Sequence, residues 1–267
     1  MFFISPASTA ISCVLSIGGL DPSGGAGLPA DARAIRAFGA HSCAVATAVI
    51  AQNTRGVQQV EAVSAQMLST QLNNLLDDIA PRAVKIGMIA NREQVQVLLE
   101  CWPRWRDVPT VLDPVFAPSA GEDFSDDSTI QMIATELFPR CALVTPNSVE
   151  AERLCGFAVR DVKSMTAAGR AIQTQYGAHR VLVKGGHLPQ TNEVVDVLCD
   201  GAHSVVLSAK RIEGAEVRGT GCLLASAIAA QLAQNVEIKS AVERAKSWLA
   251  IQIRDARLLG KGRRIAV

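Results

Sequence analysis

The stretch CVLSIGGLDPSGGAGLPADARAIRAFG, residues 13–39, contains the unit from which most of the chain is built. CVLSIGG is a short apolar run of the kind that forms a buried strand. A glycine-rich turn follows, and LPADARAIRAFG then carries apolar residues at helical spacing before stopping at Gly39. Outward from this unit the same alternation recurs. The runs SCAVATAVIA, AVKIGMIA, PTVLDPV, CALVTPN and RVLVKGG are separated by amphipathic segments such as SAQMLSTQLNNLLDDI, REQVQVLLECW and DDSTIQMIATELF, with further helix stops at Gly156 and Gly177. Strands alternating with helices predict a mostly parallel central sheet covered on both faces, a three-layer α/β/α fold. The near-continuous apolar character of the strands agrees, because such strands are buried on both sides. EVVDVLCDG and SVVLSAKRI follow one another with no helix between them and predict an antiparallel edge. Two helices close the chain, from Cys222 to about Asn235 and from Ile238 to about Leu259.

The 267 residues, 49% hydrophobic and 19% charged, read as one domain spanning 1–267, with 1–12 as a tail. The irregular FAPSAGEDFSDD, 116–127, is a candidate mobile flap. With 26 basic and 25 acidic residues the net charge is +1, which gives no footprint for nucleic acid or a membrane surface and leaves a small molecule as the expected partner. The first twenty residues carry no charged side chain, yet they lack both the basic start of a signal peptide and the apolar density of a membrane span. The seven cysteines, Cys13, Cys43, Cys101, Cys141, Cys155, Cys199 and Cys222, form no CxxC pair and are odd in number. They read as thiols of a reducing cytoplasm.

Ligands of parallel sheets bind at the carboxyl ends of the strands. That rule selects Asp21 to Gly27, Gln52 and Asn53, Met88, Asp113, Asn147 and Glu150, and Lys184 to His187. Asp113 and Glu150 are hard oxygen ligands suited to Mg²⁺, Asn147 is a neutral donor and acceptor beside them, and Lys184 suits phosphate charge. At RGTGC, 218–222, the backbone N–H groups of Gly219, Thr220 and Gly221 open a helix, where negative charge is favoured. Such an anion hole fits a transferring γ-phosphoryl group, although no GxxxxGK[ST] loop or protein-kinase set is present. GAGLPA also satisfies a loose dinucleotide fingerprint, but the next strand ends in Ala51 and Gln52 without an acid for a ribose. Cys222 is either a small packing residue or a thiol whose pKa the helix N-terminus lowers.

GGLDPSGGAGLPAD, AVIAQNTRGV, KIGMIA, VLDPV, VTPNSVEAERL, VLVKGGH and RGTGC stand in the order and spacing of the hydroxymethylpyrimidine and phosphomethylpyrimidine kinases of thiamine biosynthesis. The chain resembles this group of the ribokinase-like superfamily over roughly residues 14–262. The resemblance implies an ATP- and Mg²⁺-dependent kinase acting on 4-amino-5-hydroxymethyl-2-methylpyrimidine and then on its monophosphate. It places the pyrimidine-contacting glutamine on Gln52, whose carboxamide complements a ring nitrogen beside an exocyclic amine. Met88, Gly19, Ile50 and Val115 fall on the ring pocket, Asp31 on the acid after the glycine loop, Lys246 near the nucleotide and Arg218 near the phosphates. Cys222 falls where most relatives in the wider superfamily carry aspartate, with the implied role of taking the proton of the attacking hydroxymethyl group. The family also implies a homodimer. Three positions depart from its pattern: Val217-Arg218 stands where Thr-His is frequent, Pro29 where Gln is usual, and Phe116 where Met is usual. Phe116 is expected to reshape the pocket mouth. Rival readings are a pyridoxal kinase of the same fold, an NAD-dependent oxidoreductase and a ligand-binding regulator without catalysis.

Overall fold

The computed structural model describes residues 11–117, 124–188, 192–212, 214 and 216–266. Most of the expected tail, and positions 118–123 of the expected flap, lie outside the described residues. Nine strands form a single sheet in the order β3-β2-β1-β4-β5-β6-β7-β8-β9. In chain order these are β1 (Cys13–Leu20), α1 (Gly27–Ala37), β2 (His41–Gln52), β3 (Val57–Ala62), α2 (Ala65–Asp78), β4 (Ala83–Ile86), α3 (Arg92–Cys101) and β5 (Thr110–Leu112). Then come α4 (Asp127–Met132), β6 (Leu143–Val144), α5 (Ser148–Cys155), α6 (Val162–Tyr176), β7 (Arg180–Lys184), β8 (Glu193–Asp200), β9 (His203–Lys210), α7 (Thr220–Leu232) and α8 (Ile238–Asp255).

β2, β1, β4, β5, β6 and β7 run parallel, and each buries an apolar run. The sheet is antiparallel at both edges, because β8 and β9 form the expected hairpin and β3 also turns back on β2. β3, VQQVEA, was hidden by its composition: it lies on an edge, half exposed, and carries only a few apolar side chains to announce it. Helices α1, α7 and α8 pack on one face around Leu223, Ile228 and Val242, and α2 to α6 pack on the other around Leu68, Leu98 and Ile172. The segment expected as one helix, DDSTIQMIATELF, breaks after Met132 into a π-helical turn, Ile133–Leu137. The last helix ends at Asp255, and the residues after it return as a strap across the carboxyl end of the sheet.

The sheet has a reversal point at β1, which has β2 on one side and β4 on the other, both parallel to it. Connections leave in opposite directions there, so a crevice opens at the carboxyl end of β1. The glycine-rich turn fills that position. The Asp21 carboxylate, fully buried, accepts from the N–H of Ser23 at 2.8 Å and of Ala26 at 2.9 Å, and this holds the turn in one shape. Arg33 fastens it from below by donating to the Gly24 carbonyl at 2.6 Å.

Candidate active site

The start of α7 lies against the glycine turn. Gly219 has φ of +69°, and a Cβ there would lie 2.1 Å from the Gly25 carbonyl oxygen, so only glycine lets the two backbones meet. No side chain caps this end of the helix, which leaves its first N–H groups free to bind an anion. Gly221 is needed for a different reason, since a Cβ would come within 3.0 Å of Lys184 Nζ and 3.3 Å of Asp113 Oδ2. The amides of α7, the ammonium of Lys184 and the carboxylate of Asp113 are thus brought to one point from three elements.

Lys184 ends β7 and donates to Asp113 Oδ1 at 2.5 Å, and Thr145 donates to the same oxygen at 3.0 Å. Asn147 and Glu150 form a capping box at the start of α5: Asn147 Oδ1 accepts from the N–H of Val149 and Glu150, and Glu150 Oε2 accepts from the Asn147 N–H at 2.7 Å. Burial pushes the Glu150 carboxyl up to about 8, against the pull of Lys184, and Asp113 adds to the rise. A buried carboxyl beside a second carboxylate suits a cation. Burial pulls the Lys184 ammonium down, but Asp113 and Glu150 outweigh it and the net shift is upward.

On the other side of the crevice stands an apolar wall. Ile50 and Met88 pack together with Val115, and a Cβ at Gly19 would touch Ile50 Cδ1 at 2.7 Å and Met88 Sδ at 3.2 Å. Gln52, at the end of β2, borders this wall and accepts a hydrogen bond from Arg218 Nη2 at 2.5 Å. The structure thus brings Gly19, Ile50, Met88 and Val115 together, with Gln52 at the end of the strand that carries Ile50.

Several expected residues do other work. The carboxylate of Asp31 is wholly buried and does not face the crevice. Its oxygens accept from Lys85 at 3.0 Å, Ser16 at 2.7 Å and Ser226 at 2.8 Å, which fills it with internal partners. Lys246 pairs with Asp196 at 2.5 Å, and Asp196 in turn accepts from the Gly185 N–H at 3.0 Å. Lys246 thereby supports the loop after Lys184 and is already neutralised. Arg218 turns to Gln52, with its Nε buried and without a partner. Phe116 is 2% exposed and joins the main core, so it does not shape the pocket mouth; its carbonyl accepts from the Phe124 N–H at 2.7 Å.

Cys222 gives the largest correction. Burial pushes its thiol up to about 11; Lys85 lowers it, and Asp31 and Asp113 raise it. The helix N-terminus does not win, because the thiol, although still partly exposed, is largely withdrawn from water and lies near two carboxylates. At rest Cys222 is a neutral thiol. Lys85 and Ser226, beneath it, were not anticipated; the signal was a lysine inside the apolar run AVKIG, which stays buried only with a partner.

An anion-binding helix start facing a partly buried lysine and two carboxylates, at the reversal point of a mostly parallel sheet, defines a phosphotransferase of the ribokinase-like class. The phosphomethylpyrimidine kinase family matches residues 21–266, and the chain belongs to it. The hydroxymethylpyrimidine/phosphomethylpyrimidine kinase of Rhizobium meliloti is 42% identical over 252 residues, covering 93% of this chain and 94% of that protein. Among solved structures, the phosphomethylpyrimidine kinase of Clostridium difficile is 34% identical with a TM-score of 0.78 over 91% of this chain and 99% of its own. The ADP complex of Bacillus subtilis pyridoxal kinase is 27% identical with a TM-score of 0.88 over 96% of this chain and 97% of its own.

Proposed function

We propose that the chain transfers the γ-phosphoryl group of ATP to 4-amino-5-hydroxymethyl-2-methylpyrimidine, and a second phosphoryl group to the resulting monophosphate, in thiamine biosynthesis. The observation that carries this reading is the meeting of Gly221 with Lys184 and Asp113 across the crevice from the apolar wall of Ile50, Met88 and Val115, with Gln52 at the end of the same strand as Ile50. The N–H groups of Gly219, Thr220 and Gly221 and the Lys184 ammonium hold the γ-phosphoryl oxygens as charge redistributes among them. Asp113 and Glu150 are the residues that would hold Mg²⁺, a cation usually held by one or two carboxylates together with substrate phosphates and water. When bound, that ion neutralises phosphate charge between the two substrates. Asn147 supports the site by fixing Glu150. Arg218 is placed to reach a phosphate only by leaving Gln52, and Lys246 acts at a distance through Gly185.

Cys222 is the base for the first transfer, accepting the hydroxymethyl proton as the alcohol attacks. Its neutral resting state requires that it first give its own proton to solvent, to which it is partly exposed; the thiolate so formed then takes the hydroxymethyl proton. The second transfer has no such need, because a phosphate monoester is already mostly ionised at neutral pH.

The working assembly is a homodimer in the cytoplasm. Leu20 and Val49, register partners on β1 and β2, support it with an apolar pair exposed to 39% and 52%. No described helix is long and apolar enough to cross a membrane. Purified protein given ATP, Mg²⁺ and, separately, the hydroxymethylpyrimidine, its monophosphate and pyridoxal tests the reading by ADP release and product mass. Preferential turnover of both pyrimidines supports it. Pyridoxal, favoured by the likeness to the Bacillus subtilis enzyme, is the second reading and is decided by the same panel.

A further inference from the structure

Arg218 and Gln52 lie 166 residues apart in sequence and meet at 2.5 Å beside the apolar wall. A guanidinium has only donors, so the amide atom facing it must be Oε1. This fixes the carboxamide: Oε1 towards Arg218, and Nε2, which donates to no group among the described residues, turned away. The arginine is itself firmly mounted. Its N–H donates to the Arg264 carbonyl at 3.0 Å, and a Cβ on Gly25 would touch its Cβ at 3.4 Å. Its Nε is buried and without a partner among the described residues, a cost that the contacts holding the side chain towards Gln52 must offset.

We propose that Arg218 is a positioning and specificity-determining residue that sets the orientation of the Gln52 amide, so that the site presents an N–H donor to an acceptor nitrogen of the substrate ring. The proposal rests on the reading of Gln52 as the ring contact. The second lone pair of Oε1 stays available for an exocyclic amine, so the pair of groups matches an aminopyrimidine edge in one register only. Without Arg218 the amide rotates freely, presents the wrong atom part of the time, and is free to hydrogen-bond water instead.

The test is steady-state kinetics on Arg218→Met, Arg218→Lys, Gln52→Ala and the double variant Arg218→Met/Gln52→Ala. Arg218→Met is expected to raise KM for the alcohol and for its monophosphate alike, by roughly ten-fold, with a smaller change in kcat and none in KM for ATP. Arg218→Lys restores part of the loss, and adding Gln52→Ala to Arg218→Met brings little further loss, because the two residues act as one unit. A rise in KM confined to the monophosphate overturns the inference and makes Arg218 a phosphate ligand. Full additivity of the two single effects also overturns it. If Gln52→Ala alone leaves both pyrimidine KM values unchanged, the ring-contact reading fails first, and this inference with it. Unchanged KM for ATP in every variant shows that the fold and the nucleotide site are intact.

Discussion

Gly221 holds open the space that Lys184 and Asp113 occupy: a methyl group on it would lie 3.0 Å from the ammonium and 3.3 Å from the carboxylate. The position is nevertheless helical, with no positive φ. Gly221→Ala therefore separates stability from activity. Alanine is the better helix former by about 0.5–1 kcal/mol, so unfolding in urea is expected to show stability unchanged or slightly raised. The displaced Lys184 no longer reaches the γ-phosphoryl group, and kcat/KM is expected to fall by roughly a hundred-fold. Parallel losses of stability and activity would show that the glycine serves the fold alone.

Cys222 predicts an asymmetry between the two phosphorylations. Cys222→Ala is expected to slow transfer to the alcohol at least ten-fold more than transfer to the monophosphate, since only the alcohol must lose a proton. The pH dependence follows from the sign of the shift. A thiol pushed up to about 11 is protonated throughout the neutral range, and its thiolate fraction grows with pH. The rate on the alcohol should therefore climb from pH 7 to pH 9, and the rate on the monophosphate should stay nearly flat, since its second pKa is about 6. Equal profiles and equal losses in both steps would remove the base role and leave Cys222 as a packing residue.

Beneath that thiol, Lys85 and Asp31 form an ion pair with side chains 1% and 0% exposed. Lys85→Met leaves the carboxylate buried with only Ser16 and Ser226 as partners, and is expected to cost about 3–5 kcal/mol of stability. The double variant Asp31→Asn/Lys85→Met removes both charges and is expected to recover more than half of that loss. Urea denaturation of the four proteins of the cycle measures it. A double variant as unstable as the single one would mean that the pair contributes through its shape and not through its charge.

The strand ends were legible in sequence because each apolar run stops at a polar residue that parallel topology carries to the same side of the sheet. Asp113, Asn147, Glu150 and Lys184 were found in this way. What joins them was not legible, since the Lys184–Asp113 contact spans 71 residues and depends on strand order. Asp31 was misread from its place after the glycine turn, although the sequence held a warning. It shares a helical spacing with Leu28, Ala34 and Ile35, which all point inward, and so belongs to the buried face of α1. The direction of the Cys222 shift was illegible for a different reason: a helix start is visible in sequence, but the burial and the carboxylates of Asp31 and Asp113 that oppose it are not. The strap after α8 carries no strong periodicity, and nothing local announces where it docks.

That strap ties three site loops together. Gly262 donates to Thr54 Oγ1 at 3.1 Å and Arg263 to the Thr54 carbonyl at 2.8 Å, which holds the turn between β2 and β3. Arg264 receives the N–H of Arg218 at 3.0 Å and donates to the Glu216 carbonyl at 2.9 Å, which holds the approach to α7. Ile265, 2% exposed, lies behind Gly25 of the glycine turn. A chain ended after Asp255 is expected to keep its sheet and both helical layers, because the strap adds no strand to the main sheet. Its KM for the pyrimidine should rise by roughly ten-fold or more as Gln52 and Arg218 lose their common support, and far-UV circular dichroism should show the fold retained. Gly262→Ala acts on the same joint without shortening the chain, since a Cβ there would lie 2.1 Å from the Thr54 carbonyl oxygen and must push the strap away. It is expected to change KM in the same direction by a smaller factor. A truncated chain with unchanged pyrimidine KM would show that the loops hold their places without the strap.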